Sequence, residues 1–188
     1  MFLLGVALAA EPTPVVAMGD AWVAPDALPG GWVAVLADCL EERAKGRYSV
    51  VDRASSGQGP ELARSRLGPV LDLAPGLVLV GVSAPTAVDK DAAKAFEDAL
   101  GALGRDITAH GSATLLVGVV EPAGGKYNEV VDRVAAKIPG VVHVDLAKDW
   151  PPEGTPRDAL STQTWLTDQG HARVGAAACD AVLAYKKP

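Results

Sequence analysis

The sequence is poor in the groups that most often announce a chemistry. It holds three histidines and two cysteines in 188 residues. Cys39 and Cys179 stand far apart, whereas zinc sites draw on closely spaced ligands, so no metal and no cofactor is expected. His110 and His143 are isolated in the sequence. Basic clusters are missing too: 17 Lys and Arg stand against 23 Asp and Glu, a net charge of −6. An acidic chain without a basic stripe argues against a nucleic-acid partner. No apolar run reaches the roughly 20 residues of a membrane-spanning helix. Aromatic residues are only 5%. There is no glycine-rich phosphate loop. Gly57-Gln58-Gly59-Pro60 is too short, and its proline restricts the turn, which weakens a reading as a domain that binds an anion at a helix N-terminus.

What is present is an ordinary globular composition, 49% apolar and 21% charged. The length suits one domain around one core. Alanine, valine, glycine and leucine dominate, so strands and helices must pack closely, as in layered α/β proteins. Phe2 to Ala10 form a short apolar run. Ala7-Leu8-Ala9 gives the small residues a signal peptidase uses, so 1–10 reads as a signal peptide and 11–188 as the domain. The expected location is then periplasmic or secreted. No Lys or Arg precedes the run, and the alternative is a buried first strand in a cytoplasmic protein. An exported chain would allow Cys39 and Cys179 to pair; two small buried thiols are the other reading.

Apolar runs alternate with helical patterns throughout. Strands are expected at Val15–Met18, Tyr48–Val51, Leu77–Val82, Thr114–Val120 and Val141–Leu146. Between and after them, helices are expected at Gly31–Ala44, Glu61–Leu71, Asp89–Leu103 and Tyr127–Ile138, and from Thr167 or Asp168 to Tyr185. In the first helix Trp32, Leu36, Leu40 and Arg43 step along one side. This order predicts a three-layer α/β/α sandwich with a five-stranded parallel sheet, flavodoxin-like in architecture. The working site of such a sheet lies at the carboxyl ends of its strands.

The loops at those ends carry a resemblance. Val15-Val16-Ala17-Met18-Gly19-Asp20-Ala21-Trp22, a strand stopping at Gly-Asp, resembles the first motif of the SGNH (GDSL-type) hydrolases. In that motif a nucleophilic serine follows Gly-Asp. Val50 to Gly57 is similar to the second motif, whose glycine N–H helps hold the oxyanion. Pro75 to Val80 resembles the strand into the third, whose loop supplies an asparagine. The fourth strand followed by Tyr127-Asn128 is also similar. Leu166 to Val174 resembles the start of the family's last helix. The resemblance covers nearly the whole of 11–188 and implies an esterase-type scaffold.

It also implies that the reactive groups are gone. Matched motif by motif, Ala21 stands at the serine position, Pro85 at the asparagine, Thr162 at the aspartate and Trp165 at the histidine. Asp20 and Gly57 remain of the vestigial site. Alanine has no oxygen to attack with, proline no N–H to donate, and indole cannot act as a base near neutral pH. The expectation is a pseudoenzyme, acting as a binding or scaffolding domain for a glycan, a small acyl ligand or another protein. A literal Asp-x-x-His also occurs, Asp168-Gln169-Gly170-His171, but it falls inside the last helix. The alternative is an active esterase with displaced residues: Ser55, Ser56 or Ser83 with His171 and Asp168. Asp20 also reads as a cap for backbone N–H groups, Ser55 and Ser56 as turn formers, and Trp22 and Trp165 as either ligand surfaces or filling for the vacated pocket.

Overall fold

The computed structural model describes residues 11–22, 31–85, 89–118, 124–146 and 166–186. Five strands form one sheet: β1 (Thr13–Gly19), β2 (Tyr48–Asp52), β3 (Leu77–Gly81), β4 (Ala113–Val117) and β5 (Val141–Val144). Their spatial order is β2-β1-β3-β4-β5. Every neighbouring pair is parallel. Parallel neighbours require crossovers, and helices supply them. They are α1 (Gly31–Ala44), α2 (Pro60–Ser65), α3 (Leu67–Leu71), α4 (Lys90–Ala109), α5 (Gly124–Lys137) and α6 (Asp168–Ala184).

Because side chains alternate across a strand, each strand feeds two cores. Val15, Ala17, Leu79 and Leu115 face α1 and α6. Val16, Met18, Val80 and Leu116 face the helices of the other layer, meeting Phe96, Leu100, Val131 and Val134. The central strands β3 and β4 are buried at every position, while the edge strand β2 is half-covered. This is the three-layer α/β/α sandwich read from the sequence.

The details depart where local signals conflict. The expected helix over 61–71 is two pieces, interrupted at Arg66, whose φ of −103° and ψ of 9° leave the helical region. Helix α4 runs past Leu103 to Ala109, since Gly101 and Gly104 are buried within it and Asp89 caps its start through the N–H of Ala92 at 2.7 Å. The buried stripe of α1 ends on Ala44; Arg43 turns outward.

Helices α1 and α6 lie against each other in register. A Cβ on Gly175 would meet the Trp32 carbonyl oxygen at 2.6 Å and Val35 at 2.5 Å, so only glycine allows this approach. One turn further along each helix, Cys39 and Cys179 form a disulfide with Cα atoms 6.2 Å apart. The first turns of both helices therefore sit side by side at the carboxyl end of the sheet. Among the described residues no helix is long and apolar enough to cross a membrane.

Candidate functional site

The chain leaves β1 toward β2 on one side and later enters β3 on the other. The switch point of the sheet thus lies between the carboxyl ends of β1 and β3, where such sheets place ligands. Glycines bring these ends unusually close. Gly19 has φ +80°, and a Cβ there would meet the Gly81 carbonyl oxygen at 2.3 Å. The Asp20 N–H donates to that same carbonyl at 2.9 Å, and the Ser55 N–H ties the second loop to the Gly19 carbonyl at 2.9 Å.

Asp20 is 4% exposed, and its carboxylate organises the crevice. One oxygen accepts the Trp22 backbone N–H at 2.8 Å. The other accepts the hydroxyl of Ser83 from the loop after β3. The Ser83 oxygen in turn accepts the Trp22 indole N–H at 3.1 Å. Asp20, Trp22 and Ser83 thus close a ring of hydrogen bonds in which each buried polar atom finds a partner. The ring holds Trp22 at φ 48°, a left-handed conformation that is costly for a bulky residue. In this turn the indole folds under the mouth, 2% exposed, against Trp32 at 6.3 Å between ring centroids. The Trp22 carbonyl accepts the Leu166 N–H at 3.0 Å, which fastens the approach to α6.

Ala21, half-buried, lies between these two anchored residues. Gly57 sits in an exposed turn with φ +75° and nothing near its absent Cβ. Pro85 is half-buried, two residues beyond Ser83. Thr162 and Trp165 fall outside the described residues.

The displaced set is not brought together. His171 lies one turn into α6 and is 7% exposed, buried where the sequence suggested a surface or packing position. Among the described residues neither ring nitrogen has a hydrogen-bond partner, so neither Ser55, Ser56 nor Ser83 is hydrogen-bonded to it. Burial lowers its pKa below the ordinary histidine value, and the charge of Asp168 only partly opposes this. Asp168 itself is exposed in the first turn of α6. His143, isolated in the sequence, is paired in the fold: its Nδ1 lies 2.6 Å from Asp132 on α5. That pair bridges β5 and α5. Among the described residues no group of three or more His, Cys, Asp or Glu is gathered to hold a metal ion.

Ser83 meets Asp20 across 63 residues of sequence. A serine after a buried strand is a common turn residue, and only the sheet order shows that β1 and β3 are neighbours.

No family model matches the chain, and no curated protein matches it in sequence. Solved structures do match in fold. An acetyl xylan esterase superposes with a TM-score of 0.74 at 19% identity, covering 90% of this chain and 99% of its own. A lipase/acylhydrolase from Enterococcus faecalis gives 0.75 at 16% identity, over 90% and 95%. A GDSL-like lipase from Bacteroides thetaiotaomicron gives 0.62 at 18%, over 93% and 92%. The chain has the GDSL-type (SGNH) hydrolase fold. The fold is matched nearly end to end.

Proposed function

We propose that this chain is a non-catalytic protein on the GDSL-type fold, exported, and working as a binding or scaffolding domain. The observation that carries the reading is the ring of Asp20, Ser83 and Trp22. Acyl transfer needs a nucleophile, a base within reach and donors for the oxyanion. Here the residue after Gly-Asp is Ala21, which offers no nucleophilic atom. Among the described residues, the hydroxyl that reaches the crevice from the loop after β3 is that of Ser83, and it is engaged by a carboxylate and an indole. We assign the third vestigial position to Ser83 rather than Pro85, because the Ser83 hydroxyl donates to Asp20 of the first motif. Trp22 then serves as filling for the vacated pocket, which favours that reading over a stacking surface for a ligand.

Export is supported by the leader-like run at 2–10 and by the Cys39–Cys179 disulfide, a bond that persists in oxidising compartments. The ligand classes we carry forward are a glycan, a short acyl compound or a protein surface. The alternative of an active esterase built on His171 has no geometric support, since its ring nitrogens touch no hydroxyl. Labelling with a fluorophosphonate tests the proposal. We expect no adduct by intact mass. A stoichiometric adduct on Ser55, Ser56 or Ser83 would replace the proposal with a displaced-residue esterase.

A further inference from the structure

A cation stands directly on the Cys39–Cys179 disulfide. Arg43 follows Cys39 by one turn of α1, where side chains four apart are neighbours. Its Nη1 lies 3.8 Å from the Cys39 sulfur and 4.0 Å from the Cys179 sulfur. The same nitrogen reaches Asp180, the residue after Cys179, at 2.5 Å. Two bonded sulfurs are neutral and gain little from a guanidinium. A thiolate gains much more, because the opposite charge is close. Arg43 therefore matters to the sulfurs chiefly at the moment their bond opens.

The two sulfurs differ in access. Cys179 is 0% exposed and packed into the core, whereas Cys39 is half-buried. An attacking thiolate has to reach the sulfur it will bond to, so Cys39 takes the attack. The sulfur that leaves is then that of Cys179. Exchange speeds up as the leaving thiolate is better stabilised, and Arg43 is positioned to do this. Asp180 works the other way, by holding the guanidinium and by its own charge. Its side chain is 65% exposed, so water and salt weaken that opposition.

We propose that Cys39–Cys179 is a thiol-exchange site for an external dithiol, with Arg43 as its positioning residue. The first thiolate of the dithiol bonds to the Cys39 sulfur, and the Cys39–Cys179 bond breaks. Its electron pair goes to Cys179, whose thiolate lies against Arg43. The second thiolate of the dithiol attacks the guest sulfur of the mixed disulfide. That closes the guest's own disulfide and releases Cys39 as a thiolate. The two protons given up by the dithiol end on Cys39 and Cys179. The dithiol is oxidised by two electrons and the protein disulfide is reduced by the same two. A monothiol supplies only the first step and leaves a mixed disulfide on Cys39. No residue of the crevice takes part, so the site stands or falls independently of the non-catalytic reading.

Reduction of the folded full chain by dithiothreitol tests it, with free thiols alkylated and counted by intact mass. We expect the rate to rise in proportion to dithiothreitol while the far-UV circular dichroism holds at room temperature. Arg43→Gln should slow reduction at least about threefold by taking the cation from the leaving sulfur. Asp180→Asn should speed it at least about twofold by freeing the guanidinium. Both side chains are about half exposed or more, so both variants keep the fold. The opposite signs separate this role from a structural one: breaking the Arg43–Asp180 pair loosens the seam in either variant and would speed both. With cysteamine, a monothiol, an acid-quenched and alkylated sample should carry cysteamine on Cys39 and the alkyl group on Cys179. The proposal is overturned if cysteamine sits on Cys179 instead, or if dithiothreitol reduces the bond only as the chain unfolds. It is equally overturned if the two variants shift the rate in the same direction, or if neither shifts it.

Discussion

The disulfide between Cys39 and Cys179 closes a loop with a sequence separation of 140, tying the first helix to the last. Consider the double replacement Cys39→Ala with Cys179→Ala. In the chain-entropy account, opening a loop of this length frees the unfolded ensemble by up to about 5 kcal/mol, and measured effects commonly run from about 2 kcal/mol upward. Cys179 is fully buried, so trimming it to alanine adds roughly 1 kcal/mol of lost packing. Arg43 and Asp180 span the same seam at 2.5 Å, but their side chains are 49% and 65% exposed. Such a pair contributes at most about 1 kcal/mol and cannot stand in for the covalent link. For a chain of this size each kcal/mol moves Tm by about 2–4 °C, so the expected fall is on the order of 6–20 °C. Far-UV circular dichroism melts of the parent, the double variant and the parent with reductant measure it. The reduced parent should fall toward the variant. A shift below about 3 °C in both would refute the argument that this bond holds α1 and α6 together.

The other expectations concern the core beneath the crevice. Trp22→Ala removes a fully buried indole and leaves Ser83 without its donor, and should cost about 3–5 kcal/mol in chemical denaturation; a loss below about 1 kcal/mol would mean the indole fills nothing. Gly175→Ala places a methyl against the Trp32 carbonyl and Val35, and should destabilise by about 1–3 kcal/mol or more, whereas Gly57→Ala, with open space but a left-handed backbone, should cost about 1 kcal/mol. His171 has a folded pKa below its unfolded value of about 6.5, so the unfolded state takes up the proton first. Its contribution to stability is fully present above that pH and is lost as pH falls from about 6.5 toward the lowered folded value, with a slope of at most about 1.4 kcal/mol per pH unit. Denaturation at pH 7.5 and below 6 should show this, and His171→Leu should flatten it; an unchanged pH profile in that variant would assign the effect elsewhere.

The fold was legible because period and composition agreed along most of the chain. Val15 to Met18 is a short apolar run and Leu77 to Val80 a run of valine and leucine, and each lies in a strand buried on both faces. Thr167 before an acidic first turn marked the start of α6, and its side chain accepts the Gly170 N–H at 3.2 Å. Boundaries failed where a residue's local preference was overruled by packing: Gly101 and Gly104 suggest a stop, yet both are buried within α4, and the missing side chain of Gly104 lets the helix lie close to Val141 of β5. The candidate site was legible only in part. Gly19-Asp20 marked the crevice, because a strand ending on that pair is a local signal. The bond from Ser83 to Asp20 was not legible, since it spans 63 residues and depends on strand order. Likewise, His143 and Asp132 are 11 residues apart and meet only because β5 packs on α5. The burial of His171 follows from which side of α6 faces α1, a choice that helical periodicity narrows without fixing.

The central claim is that this scaffold holds no working acyl-transfer machinery. Losing one member of such machinery already costs about 10⁴ to 10⁶ in rate. The direct measurement is hydrolysis of a short-chain aryl ester and an acetylated sugar by the purified chain, beside Ala21→Ser and Ser83→Ala. The account requires all three proteins to match the buffer background, Ala21→Ser included, because a restored hydroxyl would still lack a base. Turnover by the parent that disappears in Ser83→Ala, or turnover gained by Ala21→Ser, would contradict it.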